Sequence, residues 1–280
     1  MSGDLTIAIG DGRRIPALGF GTGGSMTEAC GEIVLSALRA GYRHIDTARK
    51  YGSERGVGEA IRASGLARGE VFVTTKVSHE DLAPDALLRS AEASLAALGL
   101  DFVDLLLVHW PLPGMPFRDT IGALAQARRR GLARSIGVAN FNIALLSEAM
   151  QVSPEPLAAL QAEYHPFLDQ TKLLEFCRRN GLAFVSYCPL ARGRILADET
   201  LAGIAAARGR TVPQVVLRWL LQQQGVAAIP GSSNPERIRE NFDVFGFSLD
   251  DEEMRRIHAL ARPDGRIVKP KDRSPVWDAA

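Results

Sequence analysis

Cysteine is scarce in this chain of 280 residues, which contains only Cys30, Cys177 and Cys188. The three follow no ligand spacing, and neither a C-x-x-C nor an H-E-x-x-H pattern occurs. The sequence therefore predicts no metal site. An odd number of scattered cysteines also fits a reducing compartment better than a disulfide-bonded, secreted protein.

Excess charge and long apolar runs are also missing. Lysine and arginine number 33 against 32 acidic residues, and the one basic run, Arg128–Arg130, ends a helical pattern where cations complement the helix dipole. The start of the chain lacks the apolar region of a signal peptide, and "VDLLLV" has the length of a strand rather than of a membrane span. We therefore expect a cytoplasmic protein with no nucleic-acid partner and no membrane partner.

What the chain does contain is a regular alternation of strand and helix patterns. It opens with "LTIAI", "GDG" and "RRIPAL", which read as a β-hairpin. The strand patterns that follow are Leu18–Gly21, Arg43–Asp46, Val71–Lys76, Val103–His109, Ser135–Val138, Ala159–Glu163, Ala183–Tyr187 and Ala227–Ile229. The helical patterns between and after them are Thr27–Ala40, Ser53–Ala63, Pro84–Leu98, Thr120–Arg130, Ile143–Met150, Gln170–Asn180, Glu199–Arg208, Pro213–Gln222 and Pro235–Val244.

Capping residues support these helix boundaries. Asn234 before Pro235 is typical of a helix start, and Ser25 to Glu28 resembles a capping box. Glycine follows five of the helical patterns, where a left-handed residue commonly ends a helix, at Gly41, Gly65, Gly99, Gly131 and Gly181.

Eight strand patterns, each followed by a helix, predict a (β/α)8 TIM barrel over residues 1–280 as a single domain. The N-terminal hairpin would plug the barrel bottom, and the stretch after Ala261 reads as an irregular tail. A doubly wound sheet is the alternative, but no composition break divides the chain into halves. The barrel interpretation also weakens the motif "GFGTGG" (Gly19–Gly24), which matches the dinucleotide-binding pattern G-x-G-x-x-G. In a barrel these glycines would form the first βα-loop and allow close backbone packing near a ligand.

Ionisable residues follow three of the apolar strands, where a barrel of this type places its chemistry. Asp46 follows "YRHI", Lys76 follows "VFVTT" and His109 follows "VDLLLV", while Tyr51 lies five residues beyond Asp46. Taken singly, each has a structural interpretation: a helix cap, a surface cation, a core histidine or a packing aromatic. All four at one barrel mouth favour a catalytic site.

Several motifs resemble the aldo-keto reductase family, and together they cover essentially the whole chain. They are "GYRHIDTARKYGSERGVGEAI", "TTKV", "DLLLVHWP", "IGVANF", "QAEYHPF" and "IPGSSNPERIREN". The short loops and the ending "SPVWD" look most like bacterial members of the 2,5-diketo-D-gluconate reductase B or methylglyoxal reductase type. The resemblance implies a barrel that binds NADP(H) without a Rossmann fold and reduces carbonyl compounds.

The resemblance also implies a catalytic tetrad of Asp46, Tyr51, Lys76 and His109. A phenol with a pKa of about 10 is a poor acid at neutral pH. We expect the Lys76 ammonium to lower the Tyr51 pKa, Asp46 to hold Lys76, and neutral His109 to polarise the carbonyl. Tyr51 then serves as general acid. Histidine rather than glutamate at 109 favours carbonyl over alkene substrates.

Further family positions predict the cofactor contacts. Asn140 and Gln161 would bind the carboxamide and Tyr187 would stack on the nicotinamide; the other predicted contacts are Asp46, Cys188, Leu190, Ser232, Ser233, Arg237, Glu240 and Asn241. The sequence itself supports the contacts around Arg237. This arginine lies in the first turn of a predicted helix, where the helix dipole disfavours a cation unless a phosphate is bound. The alternative is an arginine paired with Glu236 or Glu240. Gly231 stands where the family commonly has lysine, so NAD(H) use becomes plausible beside NADP(H), and Ala139 replaces a common serine.

Aromatic residues predict the substrate pocket, with Phe20, Trp110 and Trp277 as its walls and Leu190 beside them. The short loop Pro111–Phe117 predicts an open pocket for small α-dicarbonyls, aldehydes or keto sugars. Two other functions remain open: a non-catalytic cofactor-sensing or structural protein on this scaffold, and a barrel enzyme that forms a Schiff base through Lys76. We expect a monomer.

Overall fold

An antiparallel hairpin opens the described part of the chain, which comprises residues 6–23 and 29–278 of a computed structural model. Strands β1 (Thr6–Ala8) and β2 (Arg14–Pro16) pair across a turn that contains Gly12 at φ 85°. Glycine occupies this left-handed position because it lacks the Cβ that would clash there. The predicted capping box at Ser25–Glu28, like Gly24 of the glycine motif, lies outside the described residues.

Eight parallel strands follow and pair in chain order. They are β3 (Phe20–Gly21), β4 (His44–Asp46), β5 (Phe72–Val77), β6 (Val103–Val108), β7 (Ala133–Ala139), β8 (Leu157–Glu163), β9 (Ala183–Tyr187) and β10 (Val226–Ala228). A parallel bridge between Leu18 and Ala228 joins the first strand to the last, and the Gly21 N–H donates to the Pro230 carbonyl at 3.0 Å. The sheet therefore closes into the predicted barrel.

Helices cover the outside of the barrel. They are α1 (Cys30–Ala40), α2 (Glu54–Ala63), α3 (Pro84–Leu98), α4 (Phe117–Arg129), α5 (Ile143–Val152), α6 (Thr171–Arg179), α7 (Glu199–Arg208), α8 (Val212–Leu221), α9 (Pro235–Phe242) and α10 (Asp251–His258). The five predicted capping glycines all have positive φ, and Asn234 caps α9 by accepting from the N–H groups of Glu236 and Arg237. Helix α10 was missing from the sequence-based prediction, although Asp250 and Glu253 form a capping box at its start.

The hairpin plugs the barrel bottom, as predicted. Ile9 and Ile15 are buried in the same apolar cluster as Leu105 and Leu107 of β6, inside the barrel. The Gly10 N–H donates to the Ala158 carbonyl at 3.0 Å and so ties the turn to β8. The lower end of the barrel is thereby filled, and the open end is the one at which the strands finish.

The last twenty residues of the described chain, 259–278, contain neither helix nor strand, in agreement with the predicted irregular tail. No helix in the ranges 6–23 and 29–278 is both long and apolar enough to cross a membrane. Within the same ranges no cluster of potential metal ligands occurs, and all three cysteines are free thiols.

Candidate active site

The four ionisable residues predicted for the site, three near strand ends and Tyr51 in a loop, converge at the open end of the barrel. Asp46 is the last residue of β4, Lys76 is the last but one of β5, and His109 directly follows β6. Tyr51 ends a short 3₁₀ turn, Arg49–Tyr51, in the loop after β4. Because parallel barrel strands all finish at the same rim, residues far apart in sequence meet there.

Lys76 and Asp46 form a buried ion pair. The Lys76 Nζ lies 2.5 Å from Asp46 Oδ1 and 2.8 Å from the Thr47 carbonyl oxygen, and both side chains are almost fully buried. Burial by itself lowers the pKa of Lys76, but the Asp46 carboxylate and the Tyr51 phenol outweigh it and raise that pKa above its ordinary value. Lys76 is therefore held as an ammonium ion.

Tyr51 and His109 face each other beside this pair. The Tyr51 hydroxyl lies 3.4 Å from His109 Nε2, and the two rings meet edge to face with centroids 5.5 Å apart. The Lys76 Nζ lies 5.2 Å from the centre of the Tyr51 ring. Gly23 approaches from the first βα-loop, since a Cβ placed there would lie 3.5 Å from the Tyr51 ring. The glycine motif thus provides close packing beside the site, as the barrel interpretation predicted.

Burial dominates the acid–base properties of Tyr51 and His109. It raises the pKa of Tyr51 above 10, while the Lys76 ammonium acts in the opposite direction. The expected effect of Lys76, a lowering of the Tyr51 pKa, is therefore present, but desolvation of the phenolate exceeds the attraction of one cation, so the net shift is upward. Burial and the Lys76 charge also hold the pKa of His109 well below 6.5, so this histidine is neutral, as expected.

A chain of amide and phenol groups continues the site across β7, β8 and β9. Gln161 donates to Asp46 Oδ2 at 2.7 Å, so it anchors the oxygen that Lys76 leaves free. Asn140 donates to the His109 carbonyl at 2.9 Å and accepts from the Tyr187 hydroxyl at 2.7 Å. Asn140 has φ 64°, a left-handed conformation that asparagine tolerates better than most residues. The three predicted carboxamide and stacking residues therefore lie together with the tetrad.

The loop after β9 is unusually rich in left-handed backbone. Cys188, Ala191 and Arg192 have φ between 46° and 53°, and Gly193 has φ 85°. Such conformations cost free energy for residues with a Cβ and are concentrated at functional sites. Leu190 is half-buried in this loop and packs against the main apolar core.

The start of α9 presents a cation to solvent. Arg237 is exposed, and in the described part of the chain its guanidinium forms no ion pair with Glu236 or Glu240. Asn234 already occupies two backbone N–H groups of this helix, and Ser232 Oγ accepts from the Asn234 N–H at 3.1 Å. The predicted anion site therefore depends on side chains more than on free backbone donors. Ser233 is exposed, Glu240 accepts from Thr211 Oγ1 at 2.8 Å, and Asn241 is buried.

Two of the three aromatic residues predicted to line the pocket lie at the mouth, and the third does not. Trp110, directly after His109, meets Trp277 edge to face with centroids 6.4 Å apart. Phe20 is only 1% exposed and packs edge to face on Tyr42 at 5.6 Å, toward α9. The prediction that Phe20 binds substrate is therefore wrong, because alternation along β3 turns the ring away from the barrel axis.

Glu163, at the end of β8, is a buried charged residue at the rim that the sequence analysis did not single out. Its carboxylate accepts from the backbone N–H groups of Ile267 (2.6 Å) and Val268 (2.9 Å) and bonds His165 Nε2 at 3.0 Å. Burial by itself raises the pKa of Glu163, but these hydrogen bonds outweigh burial and bring that pKa below its ordinary value. The group is therefore a carboxylate. It fixes the C-terminal segment, residues 266–278, to the rim. A charged residue at the end of an apolar strand is the signal that could have found it.

Comparisons with known proteins agree with this arrangement. The model of the Aldo/keto reductase family matches residues 17–262. An aldo-keto reductase from Mycobacterium sp. (strain MCS) is 44% identical over 261 residues, which cover 92% of each chain. A crystal structure described as a "putative 2,5-diketo-D-gluconic acid reductase B" has a TM-score of 0.95 and 46% identity and covers 98% of both chains. A Gox0644 mutant in complex with NADPH has a TM-score of 0.90 and 37% identity, over 96% of this chain and 97% of the other.

Proposed function

The chain belongs to the aldo/keto reductase family, and from that premise we propose that it reduces small aldehydes, α-dicarbonyls or keto sugars to alcohols with NADP(H). The observation that carries the proposal is the tetrad: a Tyr51 hydroxyl 3.4 Å from a neutral His109, backed by a buried Lys76–Asp46 pair. The similarity to the 2,5-diketo-D-gluconic acid reductase B structure supports substrates of that general size.

Tyr51 and His109 act on the carbonyl oxygen in this mechanism. Tyr51 donates its phenolic proton to that oxygen, and His109 donates a hydrogen bond that draws electron density from the carbonyl carbon. Hydride addition at carbon and proton transfer at oxygen together give the alcohol. When bound, the reduced nicotinamide supplies the hydride.

Lys76 and Asp46 support Tyr51 without touching the substrate. The ammonium stabilises the phenolate left after proton transfer, and Asp46 keeps the ammonium charged and in place. This arrangement also argues against a Schiff base. A lysine must be a neutral amine to attack a carbonyl, whereas two acceptors and a raised pKa hold Lys76 protonated.

The residues present fit nicotinamide adenine dinucleotide phosphate, NADP(H). Gln161 donates one amide hydrogen to Asp46, and among the described residues nothing donates to its Oε1, which leaves an acceptor for a carboxamide. The half-buried Tyr187 donates its hydroxyl to Asn140, the other predicted carboxamide residue, at 2.7 Å, and Cys188 and Leu190 follow it in the loop after β9. Arg237, with Ser232 and Ser233, offers the cation and hydroxyl donors that a phosphate requires.

Cofactor choice depends on Arg237 and Gly231. Arg237 supports binding of NADP(H). Because Gly231 supplies no second cation for the phosphate, use of NAD(H) at lower efficiency is part of the proposal. We further propose a monomer with a single domain over residues 1–280 and a cytoplasmic location, and the three free cysteines support the location.

The test is a panel of aldehydes and α-dicarbonyls scored by loss of nicotinamide absorbance with each cofactor. We expect turnover with NADPH, and a loss of about 10²- to 10⁴-fold in kcat for Tyr51→Phe with unchanged NADPH binding. An aldolase would keep most of its activity in that variant. Equal efficiency with both cofactors, or a preference for NADH, would refute the NADPH assignment.

A further inference from the structure

Two buried polar residues, Ser53 and Glu54, stand at the start of helix α2. Ser53 is 2% exposed and Glu54 is 3% exposed. A carboxylate is rarely buried to this extent, because it gives up its hydration and regains only what its new partners supply. The presence of this charge beneath the surface therefore requires an explanation, and the partners of the two side chains provide one.

The Glu54 carboxylate contacts the surroundings of two tetrad residues. Its Oε1 accepts a hydrogen bond from Thr75 Oγ1 at 2.7 Å, and Thr75 directly precedes Lys76 in β5. Its Oε2 lies 3.5 Å from Nη1 of Arg49, the first residue of the 3₁₀ turn that ends with Tyr51. Because successive side chains of a strand point to opposite faces, Thr75 reaches outward to α2 while Lys76 points into the barrel. Glu54 thus connects the strand that carries the ammonium with the turn that carries the phenol.

The Ser53 hydroxyl belongs to a cluster of three buried hydroxyl groups. Its Oγ lies 2.9 Å from Thr47 Oγ1 and 3.2 Å from Thr22 Oγ1. Thr47 follows Asp46, and its carbonyl oxygen accepts from the Lys76 ammonium at 2.8 Å. The Thr22 N–H in turn donates to the Asp46 carbonyl at 2.9 Å. The cluster therefore fixes the stretch of backbone that carries both acceptors of the ammonium.

These contacts bear on the separation between the Lys76 ammonium and the Tyr51 phenol. The phenol is carried by a 3₁₀ turn of three residues, and such short turns have poor hydrogen-bond geometry of their own. The attraction between two charges weakens as their separation grows, and a displacement of about 1 Å in a catalytic group can cost about 100-fold in rate. Because the Lys76 charge lowers the pKa of Tyr51 against the effect of burial, a larger separation raises that pKa.

Resting on the proposed function, we propose that Ser53 and Glu54 are positioning residues, which hold the ammonium of the tetrad at its distance from the phenol. Glu54 acts through Thr75 and Arg49, on the two elements that must stay together. Ser53 acts through Thr47, on the acceptors that fix the ammonium. The carboxylate is kept in a buried place because an apolar side chain there would fill the space without holding either element.

The test is the pH profile of kcat/KM for oxidation, with NADP⁺, of the alcohol that the wild type forms from its best aldehyde. Glu54→Met removes both carboxylate oxygens at a similar side-chain length. We expect its rising limb to move to higher pH and its rate at neutral pH to fall about tenfold. Glu54→Gln keeps an acceptor for the Thr75 hydroxyl and should stay within about threefold of the wild type. Ser53→Ala should move the limb in the same direction as Glu54→Met.

A double variant separates positioning from folding. Glu54→Met with Thr75→Val removes both partners of the buried hydrogen bond, so neither is left unpaired. Its limb should be displaced like that of Glu54→Met alone. A smaller folded fraction, by contrast, lowers the rate without moving the limb.

Glu59→Met is the matched control, since Glu59 is exposed on the same helix, and it should keep the wild-type profile. A limb that stays in place would overturn the assignment of the residue replaced. A limb displaced to lower pH in Glu54→Met would overturn it as well, because that is the effect of removing a negative charge that acts on the phenolate through space. If the wild type reduces none of the aldehydes with NADPH, it is the proposed function that fails.

Discussion

Replacing Lys76 by methionine removes the cation that stabilises the Tyr51 phenolate. The Lys76 Nζ lies 5.2 Å from the centre of the Tyr51 ring. At an effective dielectric constant of about 20, two unit charges about 5 Å apart interact by roughly 3 kcal/mol, or about 100-fold in an equilibrium constant, and the phenolate charge lies on the oxygen and ring at about this range. Since burial already raises the pKa of Tyr51, the loss of this attraction in Lys76→Met should raise that pKa further.

The assay is the pH dependence of kcat/KM for alcohol oxidation, in which Tyr51 acts as a base. Only the phenolate can accept the proton, so the rate rises as the pH rises through the Tyr51 pKa. In Lys76→Met the rising limb should move to higher pH, and the rate at neutral pH should fall about 100-fold. NADPH affinity should stay unchanged.

A double variant protects this test against misfolding. Lys76→Met alone leaves the buried Asp46 carboxylate without its cation, and such a loss costs about 3–5 kcal/mol of stability in comparable pairs. Asp46→Asn with Lys76→Met removes both charges. Because the Asp46 charge acts to raise the Tyr51 pKa, the limb of the double variant should lie between those of the wild type and Lys76→Met. An unshifted limb in Lys76→Met, with cofactor binding intact, would refute the electrostatic role of Lys76.

Two further predictions concern the rim and the cofactor. Glu163→Gln should raise KM for aldehydes several-fold with less change in kcat, and lower the free energy of unfolding by about 1–3 kcal/mol, because an amide oxygen replaces the carboxylate that holds the tail. Steady-state kinetics gives KM, and denaturant titration gives the free energy of unfolding, with Glu175→Gln at an exposed position as the control. Equal KM values in the two variants would contradict the prediction. Arg237→Met should weaken NADPH binding about tenfold or more and leave NADH binding unchanged, Gly231→Lys should tighten NADPH binding, and Arg239→Met should do neither. Fluorescence titration gives the dissociation constants, and an equal loss for both cofactors in Arg237→Met would exclude a phosphate contact.

Local patterns in the sequence were sufficient for the fold. Alternating strand and helix periods predicted the eight strands, and Pro84–Leu98 and Glu199–Arg208 were predicted to the residue. These features depend on dihedral preferences and on which side of an element is apolar, and neighbouring residues encode both. The strand ends then identified Asp46, Lys76 and His109, since parallel strands in a barrel finish at one rim.

Only the tertiary structure decided how strongly each site residue is perturbed and what covers it. The Tyr51 pKa is a balance between desolvation and one ammonium, and desolvation depends on every atom packed around the ring. Phe20 faces Tyr42 rather than the pocket because of the orientation of one short strand. Glu163 receives the N–H groups of residues more than 100 positions away, and that contact brings Trp277 to Trp110. Periodicity within a segment carries no information about such contacts, because they form only when distant segments pack together.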